Sequence, residues 1–396
     1  MINRILTPRE LLIGGGSLAQ LVPLLGRLGV SRPMLVVDPT ILSLGLADPA
    51  ITAMREAGLG LGVFSVVVED PSDVSVIAAA NEIRSGVHDG VIGFGGGSAI
   101  DTAKAAAILA STGEAVHALK VPRIVDLQVM PLVAIPTTAG TGSEVTRACV
   151  VSDTAAQEKM LILGTAALPA AAIVDYELTL SCPFRVTVDT GLDALTHALE
   201  ALINRNGNAH AEALALSALR LIGANLETVA REPSNRAARE AMMLGATHAG
   251  LAVSNTSTAL IHGLSRPIGA FFHVPHGLSN AMLLPLVTEY SLSAAPAGYA
   301  AAARALGWAT GAMGDEEAGQ ALVRGFRDLN DRLKVPTPKA YGLDEDAYFR
   351  LRPEMARQAL ASGTPGNNPR VPSEDEIVRL YEIAWDGGQL ARANVA

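Results

Sequence analysis

The segment VIGFGGGSAIDTAK, residues 91–104, is the clearest indication of the fold in the first half of the chain. A short apolar run ends in three glycines, and a helix-like segment follows them. Glycine lets a backbone approach a ligand closely, and the first turn of a helix has unpaired N–H groups and a partial positive charge. The order strand, glycine turn and helix therefore indicates a pyrophosphate site at Gly96, Gly97 and Ser98. Because the turn lacks the G-x-G-x-x-G fingerprint, an ordinary tight turn is the alternative on this motif alone.

The same alternation continues on both sides of this turn. Short apolar runs, most of them stopped by glycine, proline or an acidic residue, predict strands at residues 34–37, 63–68, 91–94, 132–135 and 173–174. Helix-like segments at residues 72–85 and 99–111 predict crossover helices. Such an alternation implies a mostly parallel sheet with helices on both faces.

The second half of the chain has little strand pattern. From about residue 182, segments rich in alanine and leucine predict consecutive helices at residues 192–203, 209–230, 235–252, 256–264 and 377–384. The sequence therefore predicts two domains, with a boundary near residues 183–186. The first is an α/β dinucleotide-binding domain over residues 1–184, and the second is an all-α domain over residues 185–396.

Composition argues against several classes of protein. Of the 396 residues, 49% are hydrophobic and 17% are charged, which suits buried strands and alanine-rich helices and argues against disorder. The net charge of −9 gives no electrostatic attraction to nucleic acid or to an anionic membrane. The N-terminus lacks an apolar signal segment, and no window holds the roughly 18–20 uncharged apolar residues of a membrane span. A cytoplasmic protein is expected, with Cys149 and Cys182 as reduced thiols.

Two further elements favour a dinucleotide. The loop PTTAGTGSE, residues 136–144, follows a predicted strand, and its hydroxyls can donate to ribose or phosphate; they belong to Thr137, Thr138, Thr141 and Ser143. A loop capped by its own side chains is the alternative. Asp38 ends another predicted strand, where a carboxylate can accept hydrogen bonds from a ribose 2′-OH and repel a 2′-phosphate. Asp38 thus favours NAD over NADP, although an aspartate before Pro39 also suits a turn.

A metal site is indicated by one aspartate and three histidines. Asp193 and His197 are four residues apart, so on a helix they share one face. His262 is expected to end a helix, and His276 to follow a proline-containing turn. An oxygen and three imidazole nitrogens suit Fe²⁺, Zn²⁺ or another divalent transition metal. Any one of these residues alone also fits an ordinary helix face, so the prediction requires all four to converge.

These motifs match those of a known family. The segments GGGSAIDTAK (residues 95–104), PTTAGTGSEVT (136–146), DALTH (193–197) and residues 262–277 resemble the iron-containing, group III alcohol dehydrogenases, and the resemblance extends over almost the whole chain. It implies an N-terminal dinucleotide-binding domain, a C-terminal helical domain, and a metal in the cleft between them. It also implies NAD as cofactor and a homodimer or a higher homo-oligomer.

The resemblance assigns roles to individual residues. Asp193, His197, His262 and His276 fall on the positions of the metal ligands. The positions that contact the cofactor correspond to Asp38, Gly97, Ser98, Thr137, Thr138 and Lys159. Asp70 stands where the family often has asparagine before a proline, and its contact with the cofactor is the least certain of this set.

The chain departs from the family pattern at two positions. Many members have a further histidine four residues after the third ligand, where this chain has Arg266, and many have asparagine where it has His273. Arginine stays protonated at neutral pH and cannot transfer the proton. We consider three roles here: His273 or solvent moves the proton, Arg266 binds an anionic group of the substrate, or Arg266 contacts a cofactor phosphate or a structural partner.

The sequence therefore predicts reversible hydride transfer between NAD and a small primary alcohol or diol. A hydroxyacid–oxoacid transhydrogenase, or a reductase of the maleylacetate type, is the alternative on the same scaffold, and Arg266 keeps it open. A non-catalytic protein that binds metal or nucleotide is the third possibility, which the complete set of four ligands disfavours.

Overall fold

The computed structural model describes residues 2–156 and 158–390. Its strands are β1 (Glu10–Ile13), β2 (Pro33–Val37), β3 (Gly62–Phe64), β4 (Gly90–Gly95), β5 (Leu132–Pro136), β6 (Ala148–Asp153), β7 (Glu158–Leu163) and β8 (Ala171–Val174). Six of them form one parallel sheet in the order β1-β8-β5-β4-β2-β3, and β6 and β7 form an antiparallel hairpin. Every residue of β2, β4, β5 and β8 is buried, as expected for strands covered on both faces.

The helices lie between the strands in the first half of the chain and follow one another in the second. Those of the first half are α1 (Leu21–Arg27), α2 (Pro39–Ser43), α3 (Asp48–Glu56), α4 (Asp73–Ser85) and α5 (Gly97–Thr112). Those of the second half are α6 (Phe184–Ile203), α7 (Ala209–Arg231), α8 (Arg236–Ser254), α9 (Leu260–Phe272), α10 (His276–Ser291), α11 (Pro296–Ala305), α12 (Asp315–Arg332), α13 (Pro338–Tyr341), α14 (Glu345–Ala361) and α15 (Glu374–Ala384). The predicted fold class, a parallel sheet followed by a helical half, is confirmed.

Some predicted elements differ from the observed ones. The strand predicted at residues 63–68 ends at Phe64, because β3 is the edge strand and pairs on one side only. Neither β1 nor the β6–β7 hairpin was expected from the apolar runs. The strand β1 is a short edge strand, and β6 alternates between buried and partly exposed positions. Cys149 in β6 and Cys182 are free thiols, as predicted.

The helix predicted at residues 256–264 is wrong at both ends. The observed α9 begins at Leu260 and continues through Pro267 to Phe272, so His262 lies in its first turn rather than at its end. Proline in a helix interior removes one hydrogen bond, but here Pro267, Ile268 and Gly269 are buried, and tertiary packing outweighs that loss.

By length and composition, α7 is the one described helix that could cross a membrane. Seven of its residues, all apolar, are nevertheless buried, among them Ile222 and Leu226. A Cβ added to Gly245 of α8 would lie 2.9 Å from Ile222 of α7, and one added to Gly191 of α6 would lie 2.5 Å from Leu226. These close approaches show that one face of α7 packs against α6 and α8.

The two halves meet at the threonine-rich loop that follows β5. Gly142 in this loop has φ +63°, and a Cβ there would lie 2.5 Å from the Cα atom of Gly250 in α8. Only glycine combines this backbone conformation with such a close approach. The contact holds the loop against the helical half and forms one wall of the cleft between the sheet and the helices.

Candidate active site

Four predicted metal ligands come from three helices of the second half. Asp193 and His197 share one face of α6, His262 lies in the first turn of α9, and His276 is the first residue of α10. The Oδ1 atom of Asp193 lies 3.4 Å from Nε2 of His262 and 3.7 Å from Nε2 of His276. The structure thus brings together side chains that are up to 83 positions apart in the sequence (276 minus 193).

Three of the four predicted ligands have donor atoms close enough together to share one cation. One ligand atom each from Asp193, His262 and His276 lie within 4.8 Å of one another. His197 lies beside this group, since its ring stacks on that of His262 with centroids 4.4 Å apart and its Nδ1 is 3.9 Å from Oδ2 of Asp193. That Nδ1 is buried and has no hydrogen-bond partner among the described residues. A buried nitrogen without a partner is costly, and a cation bound here would satisfy it.

Two buried residues that support this cluster were missed by the sequence analysis. Glu200 accepts a hydrogen bond from Nδ1 of His262 at 2.7 Å, and the amide of Asn280 donates to Oδ1 of Asp193 at 2.8 Å. Each lies on a ligand-bearing helix at helical spacing: Glu200 is seven residues after Asp193, and Asn280 is four after His276. That spacing was the available signal for both.

Burial and charge act in opposition on the pKa values of this cluster. Burial lowers the pKa of His197 to about 4 and that of His276 to about 3. Burial also opposes the charged form of His262, but the carboxylates of Glu200 and Asp193 outweigh it and raise its pKa to about 9. Burial disfavours ionised Asp193 too, yet the imidazoles around it hold its pKa well below the usual range. The ionised carboxylate and two neutral imidazoles are already in the protonation state that binds a metal.

The glycine turn lies between β4 and the N-terminus of α5, where the sequence predicts a phosphate site. Gly96 is the residue before the helix, and no side chain caps the helix there. The first N–H groups of α5 are therefore available to a ligand. A Cβ on Gly97 would lie 2.7 Å from Cγ2 of Thr141, so this turn packs directly on the threonine-rich loop.

The remaining polar residues follow neighbouring strands of the sheet. Asp38 follows β2, whereas Thr137 and Thr138 follow β5, on the two sides of β4. The Asp38 carboxylate accepts the N–H of Thr40 at 2.7 Å and so caps α2, but its second oxygen makes no hydrogen bond among the described residues. The Ser143 hydroxyl already donates to Asp101 at 2.6 Å, which leaves it as an acceptor for a ligand.

One cleft extends from the glycine turn at the start of α5 to the histidine cluster. Its lining includes these predicted residues: Asp70, Gly97, Ser98, Thr141, Ser143, Lys159, Asp193, His197, His262, Arg266 and His276. Asp38, Gly96, Thr137 and Thr138 lie outside this lining. Asp70 and Lys159 form an ion pair of 2.8 Å across the cleft wall. The His276 side chain is 35% exposed, against 2% for His262, so the cluster opens to the cleft at His276.

The two departures from the family pattern occupy different places. Arg266 lies one turn after His262 on α9 and borders the cleft, where one of its guanidinium nitrogens donates to the Thr258 hydroxyl at 3.3 Å. His273 ends α9 in the left-handed conformation, with φ +55°, and is exposed outside the cleft lining. The structure therefore brings Arg266 to the site and leaves His273 away from it.

Comparison with known proteins covers nearly the whole chain. Residues 8–176 match the family model for iron-containing alcohol dehydrogenase, and residues 187–385 match that for the C-terminal part of the Fe-containing alcohol dehydrogenase family. Long-chain-alcohol dehydrogenase 1 of Geobacillus thermodenitrificans (strain NG80-2) is 36% identical over 390 residues, which cover 98% of each chain.

Solved structures show the same fold. The structure of a 1,3-propanediol oxidoreductase matches with a TM-score of 0.92 at 31% identity and covers 97% of this chain and 100% of that one. A sulfoacetaldehyde reductase from Bifidobacterium kashiwanohense, solved in complex with NAD⁺, matches with a TM-score of 0.86 at 27% identity over 97% of this chain and 99% of that one.

Proposed function

The chain belongs to the iron-containing alcohol dehydrogenase family, and from this premise we propose that it is a metal-dependent, NAD-linked alcohol dehydrogenase and aldehyde reductase acting on a small primary alcohol or diol. The observation that carries the proposal is the convergence of Asp193, His262 and His276 beside a buried, unpartnered nitrogen of His197. These donors face the cleft that begins at the N-terminus of α5.

The four residues of the cluster would hold a divalent metal. Their donor set is one carboxylate and three imidazoles, which suits Fe²⁺ and Zn²⁺ alike. When bound, the metal supplies Lewis acidity to the substrate oxygen and NAD supplies the hydride acceptor. Asp193 and His262 are almost completely buried, and this shields the cluster from bulk water on the side away from the cleft.

The cofactor would lie along the carboxyl ends of the strands. The free N–H groups of α5 favour a pyrophosphate, and the threonine-rich loop packed on Gly97 offers hydroxyls beside it. Asp38, across β4 from that loop, has a carboxylate oxygen for a ribose hydroxyl and a charge that repels a 2′-phosphate. This arrangement favours NAD over NADP.

Solvent is the proton acceptor that the geometry favours. The position one turn after His262 holds Arg266, which stays protonated at neutral pH. The exposed His273 lies outside the cleft lining, so it is poorly placed to relay a proton. The cluster opens at the half-exposed His276, and we infer that water reaching that side takes the proton of the alcohol.

Other properties of the enzyme follow from family membership rather than from this chain alone. We propose a homodimer or a larger homo-oligomer, as the family resemblance implies, and a cytoplasmic location. Light scattering on the purified protein tests the oligomeric state. The named substrates of relatives range from alcohols and a diol to an anionic aldehyde, so the substrate class rests on residues particular to this chain.

The decisive experiment is a panel of alcohols followed by NADH absorbance, with the protein stripped by chelator and then loaded with Fe²⁺ or Zn²⁺. Turnover is expected only in the loaded protein. Asp193→Asn should abolish metal retention and turnover. Asp189→Asn is the matched control, because Asp189 lies one turn earlier on α6 and pairs with Arg185 instead. Full turnover by the stripped protein, or by the Asp193 variant, would refute a metal-dependent reaction.

A further inference from the structure

Arg266 is a cation whose hydrogen-bonding capacity is largely unused. A guanidinium has five N–H donors, and among the described residues only one contact is made, the 3.3 Å bond to the Thr258 hydroxyl. No carboxylate of residues 2–156 or 158–390 lies within 4 Å of it. Burial disfavours the charge and lowers the pKa of Arg266, but arginine remains protonated. A partly buried charge without a partner is costly, and an anion bound beside it would reduce that cost.

The nearby carboxylate, that of Glu200, already has other hydrogen-bond partners. Glu200 is the acid that most affects Arg266 electrostatically, but its oxygens accept Nδ1 of His262 and the backbone N–H groups of Ala259 and Ile261. Glu200 is also 1% exposed. It therefore offsets part of the charge from a distance and leaves the guanidinium donors free.

Arg266 stands where two cavities meet. It borders the cleft of the histidine cluster and also a second cavity of about 230 Å³, which Pro267 and Ala270 of α9 line as well. The other charged residues of that second cavity are paired: Lys120 with Glu158, and Lys159 with Asp70. Arg266 is the one cation around the second cavity, within the described chain, that lacks a carboxylate.

The position of Arg266 assigns it to the substrate end of the cleft. It follows His262 by four residues on α9, so the two side chains share one helix face. The phosphate-binding turn is at the N-terminus of α5, which has its own free N–H groups. An anion bound at Arg266 would therefore belong to the molecule that reacts at the histidine cluster.

We propose that Arg266 selects alcohols and aldehydes carrying an anionic group, a carboxylate or a sulfonate, a few bonds from the reacting carbon. This proposal rests on the proposed dehydrogenase function and narrows its substrate class. Guanidinium forms two parallel hydrogen bonds to such groups, and these bonds give orientation as well as affinity. The anion occupies the junction of the two cavities while the hydroxyl carbon faces the cluster.

The test compares substrates that differ in charge and little in size. We would measure kcat/KM for 3-hydroxypropanoate and for its neutral counterpart 1,3-propanediol, with 2-hydroxyethanesulfonate to separate sulfonate from carboxylate. The wild-type protein is expected to prefer at least one anionic probe. Arg266→Ala should lose about 10- to 100-fold on the preferred anionic probe and less than about threefold on the diol, as for a hydrogen bond to a charged group. Arg266→Lys should retain part of the preference.

Arg147→Ala is the matched control. Arg147 borders the same cleft and also lacks a carboxylate partner among the described residues, but its Nε donates to the backbone carbonyl of Ser254 and it does not share a helix with a metal ligand. It should leave the preference between anionic and neutral probes unchanged. An equal loss in both arginine variants would assign the effect to the general positive potential and overturn the proposal.

Two further measurements show whether Arg266 binds the cofactor or the substrate. Titration of NADH fluorescence should give the same dissociation constant for wild type and Arg266→Ala, since a tenfold weaker constant would place Arg266 on the cofactor. Propane-1-sulfonate, which cannot be oxidised, should compete with the preferred substrate in wild type and lose that effect in Arg266→Ala. Turnover of the diol with no preference for either anion would refute the role of Arg266 alone. A lack of turnover on every probe by the metal-loaded protein would instead refute the dehydrogenase function.

Discussion

Nδ1 of His262 donates a hydrogen bond of 2.7 Å to Oε2 of Glu200, and both side chains are 2% exposed. This bond holds a proton on Nδ1 and directs Nε2 toward Asp193, so Nε2 is the nitrogen that would bind a metal once its own proton is lost. Glu200 also accepts the N–H groups of Ala259 and Ile261, so the same carboxylate that orients the histidine anchors the beginning of α9.

We therefore expect Glu200→Gln to weaken metal binding by about 10- to 100-fold. The amide removes the charge that favours the Nδ1–H form of His262, although it keeps an acceptor for the backbone. The measurement is competition for Zn²⁺ against a chromophoric chelator. Glu212→Gln, on the exposed face of α7, serves as the control and should bind as the wild type does. Equal affinity in Glu200→Gln would show that the hydrogen bond does not tune the ligand.

Metal loading should stabilise the folded protein. A ligand that binds only the folded state adds about 2.7 kcal/mol at a hundredfold excess over its Kd. Because the large apolar core of the helical half does not depend on the cluster, the stripped protein should still be folded. Differential scanning calorimetry with and without Zn²⁺ should show a higher Tm for the loaded protein, and His276→Ala should reduce the shift. Identical melting curves for wild type and His276→Ala, each with and without Zn²⁺, would contradict binding at this cluster.

Asp38 offers a test of cofactor choice that separates charge from local stability. Its carboxylate caps α2 through Thr40, and asparagine caps helices equally well. Asp38→Asn should therefore raise the ratio of kcat/KM for NADP to that for NAD at least about tenfold, since like charges in contact cost several kcal/mol. Its Tm should be unchanged. Asp38→Ala should show the same change in cofactor use together with a loss of about 1 kcal/mol from the missing cap. An unaltered ratio in both variants would remove Asp38 from the ribose site.

The fold was predictable where local pattern and tertiary environment agree. The run ending at Phe94 and the glycines after it identify a buried strand and a ligand turn, because both signals are local. The β6–β7 hairpin escaped prediction, because burial alternates along β6 whereas its sequence, ACVVSD, does not alternate between apolar and polar residues. The course of α9 through Pro267 depends on packing that no local rule contains.

Convergence of the site was inferred from residue type and family resemblance rather than from geometry. The i, i+4 spacing predicts that Asp193 and His197 are neighbours, but nothing local indicates that α9 and α10 deliver His262 and His276 to the same point. Glu200 illustrates which contacts cannot be predicted from the sequence. Its partners include backbone N–H groups about sixty positions away, and such contacts have no sequence signature.

The contact between the two halves should depend on pH through a buried acid. Glu144 is 3% exposed and accepts a hydrogen bond from Thr247 of α8 at 2.9 Å. Burial raises the pKa of Glu144, although the hydrogen bonds that its carboxylate accepts, including that from Thr247, and the Lys104 ammonium act in the opposite direction. An acid whose pKa is higher in the folded than in the unfolded state contributes stability below its unfolded pKa, and this contribution is lost as pH rises through the folded value.

Glutamine has the shape of the protonated carboxyl, keeps an acceptor for Thr247 and does not titrate. The Tm of Glu144→Gln relative to wild type should therefore increase between pH 5 and pH 8, because only the wild type loses stability as its carboxyl ionises. Calorimetry at constant metal content across this range measures the difference, and titrations elsewhere in the protein cancel between the two proteins. Asp344→Asn, at the exposed cap of α14, should show no such trend. A Tm difference for Glu144→Gln that stays constant with pH would mean that Glu144 is ionised throughout, with the Lys104 ammonium outweighing its burial.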